Sequence, residues 1–198
     1  MRNKKMRIKR ILAVILTLCA VFSVASCSKI SDEEMLTEYK ALYEKALDVN
    51  RIIYGTGLPV DGEYDVKKLS SPYYVPVSES CPYKTLADVK NAVLSVYTED
   101  YFNDVFKRVL FDGYEDKFAK INPRYKEIDG VLHTDITYEA FATVETGRVD
   151  LENATVKKNT GGGAEIVAPY YISGVRQKTD KTTVLIWTDQ GLRFDTFA

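Results

Sequence analysis

The chain has 198 residues, 27 of them Lys or Arg, 28 Asp or Glu, with one His and three Cys. Six of the bases and none of the acids fall before residue 27, leaving 21 bases against 28 acids and a formal net charge of −7 from there on. That balance excludes a partner such as nucleic acid, which is held by phosphate neutralisation. A lone His leaves a single imidazole for metal or acid–base work, and no cofactor motif is present.

The first element is a leader. Arg2, Lys4, Lys5, Arg7, Lys9 and Arg10 precede an apolar run from Ile11 to Ala25, broken only by Thr17, Cys19 and Ser23. A basic end, a short apolar middle and small residues before a cut site make a secretory signal, too short for a permanent span. Val24-Ala25-Ser26-Cys27 resembles a bacterial lipobox. That resemblance implies cleavage between Ser26 and Cys27 and acylation of the Cys27 thiol. It also implies a protein on the extracytoplasmic face of the cell membrane, whose lipid partner is the bilayer. More than one acyl chain on the cysteine satisfies the requirement for stable anchoring. The expected organisation is a signal peptide over 1–26, a tether over 27–31 and one domain over 32–198. Cys81 is then the only unmodified thiol, so no internal disulfide can form. With no base beside it, a buried structural thiol is expected.

Ser31-Asp32-Glu33-Glu34 fits a capping box. Behind it Met35, Tyr39, Leu42, Tyr43, Ala46, Leu47 and Ile53 recur at helical spacing, and Gly55, Gly57 and Pro59 end the helix. Residues 55–84 carry much of the turn chemistry, with one extended piece at Tyr73-Tyr74-Val75-Pro76-Val77. Adjacent tyrosines on a strand face opposite ways, so one should be buried and one exposed. Thr85 to Asp88 is a second capping box, opening a helix to about Tyr97. Thr98 caps a third helix whose apolar set is Tyr101, Phe102, Val105, Phe106, Val109 and Leu110, stopped by Gly113.

The period then changes to alternation. Asp129-Gly130 between Tyr125–Ile128 and Val131–Thr134 signals a tight hairpin. Residues 137–144 fit helix and strand equally well. Strands are expected over 153–158, 164–176, 181–188 and 192–197, with turns at Gly161-Gly162-Gly163, Thr179-Asp180 and Gly191. Helices followed by an antiparallel meander predict an α+β fold, with the helices packed on the C-terminal sheet.

The search for chemistry yields little. His133 and Asp135 alternate onto one strand face, and Asp135 with Glu139 is one carboxylate pair among many. Gly161-Gly162-Gly163 lacks the Lys-Ser/Thr of a phosphate loop, and no nucleophile elbow occurs. No catalytic or metal-binding residue is therefore assigned, and a non-enzymatic binding module is expected. Tyr73, Tyr74, Tyr170, Tyr171 and Trp187 are the candidate contact aromatics.

Three stretches together carry a resemblance: Tyr73–Val77 with Leu86-Ala87-Asp88-Val89 and Val96-Tyr97-Thr98, then Glu127–Leu132, then Trp187–Asp195. Their succession resembles the bacterial DL-endopeptidase inhibitor family, over roughly residues 40–198. It departs at Gly191-Leu192, where an aromatic often follows the glycine, and in a longer stretch around residues 140–165. The resemblance implies a helix-plus-sheet fold and a protein partner, a cell-wall hydrolase. The ending equally resembles the last strands of cone-shaped NTF2-like domains, which implies the alternative of a pocket for a small molecule or glycan.

Overall fold

The computed structural model describes residues 30–115, 117, 120–138 and 147–198. The lipobox and Cys27 therefore lie outside the described residues. Helix α1 (Asp32–Ile53) begins as the sequence predicts: the Ser31 hydroxyl accepts from the Glu34 amide, and Glu34 accepts from the Ser31 amide in return. Its buried face holds Met35, Tyr39, Tyr43, Ala46 and Ile53, joined by Val49, Asn50 and Ile52. Helix α2 (Leu86–Leu94) has the expected box between Thr85 and Asp88. It stops short of Tyr97: Val96 lies in a turn, its amide donating to the Val93 carbonyl, and Tyr97 bridges to Phe194 near the end of the chain. A third helical run, α3 (residues 99–112), is α-wound through Tyr101 and π-wound over Phe102–Phe106 and Arg108–Asp112.

The described residues hold twelve strands, the first between α1 and α2 and the rest after α3: β1 (Tyr74–Pro76), β2 (Tyr114–Glu115), β3 (Lys120–Ile121), β4 (Tyr125–Ile128), β5 (Val131–Asp135), β6 (Gly147–Val149), β7 (Thr155–Thr160), β8 (Gly163–Ala168), β9 (Tyr170–Ile172), β10 (Val175–Arg176), β11 (Lys181–Thr188) and β12 (Gly191–Phe194). All the pairings between them are antiparallel, and the architecture is α+β. The largest sheet runs β12-β11-β8-β7, and a three-stranded sheet runs β1-β5-β4. The β4–β5 hairpin turns where Asp129-Gly130 predicts, both residues at positive φ (51° and 77°) as a two-residue type I′ turn demands.

Two strand expectations also fail. β12 ends at Phe194, short of the expected Phe197. Residues 164–176 are not one strand. Pro169, which has no N–H to give a ladder, separates β8 from β9, and Ser173-Gly174 at positive φ turns β9 back into β10. β9 then pairs with β6 rather than continuing the main sheet. Of residues 137–144, Thr137 and Tyr138 form the end of a turn, and the remainder lie outside the described residues.

α1 packs against β7 and β12 of the large sheet, with Tyr39 edge-on to Phe194 at 6.0 Å. Phe106 from α3 stands edge-on to Tyr54, Tyr97 and Tyr101, so its aromatic face rests on the end of α1 and on Tyr97. One contiguous core results, running from Met35 to Phe194 and including Cys81, a buried free thiol.

Candidate functional site

The site begins with a charge out of place. Arg124, just before β4, is one of the largest fully buried side chains, at 2% exposure. A buried guanidinium needs acceptors, and it stays charged inside a protein. Arg124 finds acceptors at the C-terminal end of α1, where Nη1 donates to the Ile53 carbonyl at 2.9 Å and Nη2 donates to the Gly55 carbonyl. The Ile53 carbonyl belongs to the negative end of the helix dipole and Gly55 lies just past it, so the cation caps the helix. Gly57 makes room for it: at φ +82°, its missing Cβ would fall 2.6 Å from Nη2. The guanidinium lies over the Tyr138 ring at 4.4 Å, while its Nε has no partner among the described residues.

Beside Arg124 the chain folds back on itself. The Asp135 amide donates to the Arg124 carbonyl at 2.8 Å, and the Tyr138 amide donates to the Asp135 carbonyl at 3.3 Å. Asp135, 4% exposed, ends β5 opposite Tyr74. Its Oδ1 accepts from the amides of Tyr73 (3.0 Å) and Thr137 (2.9 Å) and from the Thr137 hydroxyl (2.6 Å). No donor reaches Oδ2 among the described residues.

Asp135 forms part of the wall of a cavity of about 500 Å3, together with Tyr54, Ser71, Val109, Lys120, Ile121, Asn122, Thr137 and Tyr138. The cavity is of the size that small-molecule sites occupy. Tyr54 is held edge-on to Phe106 and Phe197, and burial pushes its pKa up to about 12. Burial also raises the Tyr138 pKa, with the Arg124 charge pulling the other way. Both phenols are therefore neutral at physiological pH. Lys120 at the rim is paired with Glu115 at 2.8 Å.

The contact aromatics named from sequence do not form one patch. Tyr73 is 40% exposed and Tyr74 half-buried, its hydroxyl donating to the Pro123 carbonyl beside the cavity. Tyr170 and Tyr171 are half-buried on β9, and Trp187 is half-buried on β11, so the five lie on or beside three different sheets. His133 does not line the cavity. Its Nδ1 lies 2.8 Å from the Val131 carbonyl on its own hairpin. Glu139 lies outside the described residues. Among the described residues no group of three acids, His or Cys is placed to hold a metal. Arg124, Asn122 and Tyr138 escaped sequence reasoning, because nothing local marks an arginine that will cap a helix 70 residues earlier.

Against known proteins, the chain matches no family model, no curated protein and no solved structure.

Proposed function

We propose that the chain is a membrane-anchored extracytoplasmic lipoprotein, held through acylated Cys27, whose body is a non-enzymatic binding module. The leader and lipobox support the anchoring. Residues 28–30 span about 10 Å at full extension, so the folded body works close to the headgroups. The single observation that supports binding is the cavity at Asp135. Its wall carries the Asp135 carboxylate, whose Oδ1 holds the turn after β5, together with Tyr54 and Tyr138. That arrangement fits the pocket of an NTF2-like domain for a small molecule or glycan.

A second reading, inhibition of a cell-wall DL-endopeptidase, is favoured by the β4–β5 tip. There Ile128 and Val131, 40% and 48% exposed, flank Asp129 and follow Glu127. An apolar knuckle with acidic neighbours suits the rim of a basic groove. Two measurements test the proposal. Cys27→Ser should move the chain out of the membrane fraction or leave it uncut; a variant of normal mature mass that stays with membranes removes the anchor. Purified mature protein should slow peptidoglycan cleavage by a DL-endopeptidase, less so at high salt. An unchanged rate at low salt removes the inhibitor reading and leaves the cavity.

A further inference from the structure

We propose that the folded body stands on the bilayer by one end. The end of the large sheet beside Ile30 faces the headgroups, and α1 holds the Asp135 cavity away from them. This rests on the anchoring reading above, and the occupant of that end is the bilayer surface.

A clasp at the start of α1 fixes where the tether leaves the body. Asn159 on β7 donates from Nδ2 to the Ile30 carbonyl at 2.9 Å and to Asp32 Oδ1 at 2.8 Å. Ile30 also packs against the core. An acylated Cys27 lies three residues before it, a reach of about 10 Å at full extension. The bilayer must then meet whatever surrounds Ile30.

Strand register sets what surrounds it. Asn159 opposes Ala164, Ala164 opposes Leu185, and Leu185 opposes Phe194. That row crosses all four strands, so the residues just beyond it share one end of the sheet with Ile30. There the chain turns twice, at Gly161-Gly162 and at Asp189-Gln190, and Ile186 is 36% exposed. Glycines put no side chain between backbone and headgroups, and an exposed isoleucine gains by leaving water.

Charge and length direct the rest. Asp32, Glu33, Glu34 and Asp189 also stand at this end, so attraction of lysine for phosphate does not draw the body down. From Cys27 on the net charge is −7, and an anionic surface pushes such a body outward while the tether keeps one end near. The 22 residues of α1 run about 33 Å, which puts Tyr54 and the cavity it lines at the far end.

The test uses the full acylated chain in vesicles of phosphatidylcholine with one quarter phosphatidylglycerol and a trace of headgroup-linked energy acceptor. A donor dye goes on Gly161→Cys or on Thr56→Cys, since an acylated Cys27 and the buried Cys81 do not compete for it. A Cβ at Gly161 meets open space, and Thr56 is exposed just past α1. Thermal melting checks that both variants fold. Energy transfer should be at least twice as efficient from the Gly161 site as from the Thr56 site. A spacer of about twelve Gly and Ser residues inserted after Ser28 should bring the two values together, because the body is then free to turn. Equal transfer without the spacer, or more from the Thr56 site, overturns the orientation and keeps the anchor. A difference that survives the spacer overturns the tether as its cause. Protein that stays out of the vesicle fraction overturns both the anchor and the orientation.

Discussion

Lys181 opens β11 with its ammonium between two rings, 5.3 Å from the centre of Tyr170 and 4.9 Å from that of Phe197. Burial pushes its pKa down to about 8, and the ring faces resist by favouring the cation. An unfolded lysine titrates near 10.4. Between those values the unfolded chain binds more protons than the folded one, so stability should rise with pH from about 8 to about 10. Above 10 the trend reverses. Burial holds Tyr39, Tyr54 and Tyr74 at about 12, so the folded state then keeps protons that the unfolded chain releases. Urea midpoints measured from pH 7 to 11 should trace this rise and fall. Lys181→Met should remove the rise alone, which amounts to no more than about 3 kcal/mol. A parent that shows no rise would mean the rings hold the ammonium as firmly as water does. Arg124 solves the same problem differently: the end of α1 gives it carbonyls where Lys181 has only ring faces.

Thr98 is where three elements meet. Its hydroxyl accepts from the Tyr101 amide (3.2 Å) to start α3 and donates to Asp195 Oδ1 (2.5 Å), while its own amide donates to the Phe194 carbonyl on β12 (2.9 Å). Thr98→Val keeps the shape and loses both hydroxyl bonds, at a cost of about 1–2 kcal/mol in urea unfolding. Thr98→Ser should recover most of it; equal losses in the two variants would show the methyl, not the hydroxyl, to matter. The cap itself was legible, as were both capping boxes and the Asp129-Gly130 hairpin, because each depends on residues within about four positions of one another. The rest depends on distance along the chain. Tyr97 reads as the end of a helix until β12 arrives, almost a hundred residues later, to pair with it. The 164–176 run alternates well enough to pass for one strand, although Pro169 already marks its break. Asp135 could be picked out by its chemistry, but its setting could not. The cavity needs the end of α1, the residues before β4 and the turn after β5 together, and no local pattern couples them.

At the scale of the molecule the large sheet has two edges, and they are treated differently. The β12 edge is closed, since Phe194 exchanges hydrogen bonds with Val96 and Thr98. The β7 edge has no strand beside it among the described residues. Three devices blunt it: a register shift between Val156 and Lys158, the exposed Lys157 and Lys158, and Asn159, whose amide donates to the Ile30 carbonyl (2.9 Å) and to Asp32 (2.8 Å). An irregular, charged edge is how sheets avoid pairing with one another. The lysines do little for the fold itself: their contacts with Glu165, at 3.6 and 3.9 Å, are long and exposed. Replacing both with threonine should therefore cost less than about 1 kcal/mol of stability while raising the apparent mass in light scattering at equal protein concentration. Arginine at both positions should keep the parent's mass. A threonine pair that scatters like the parent would mean that the bulge and the Asn159 clasp to the start of α1 protect the edge without help from charge.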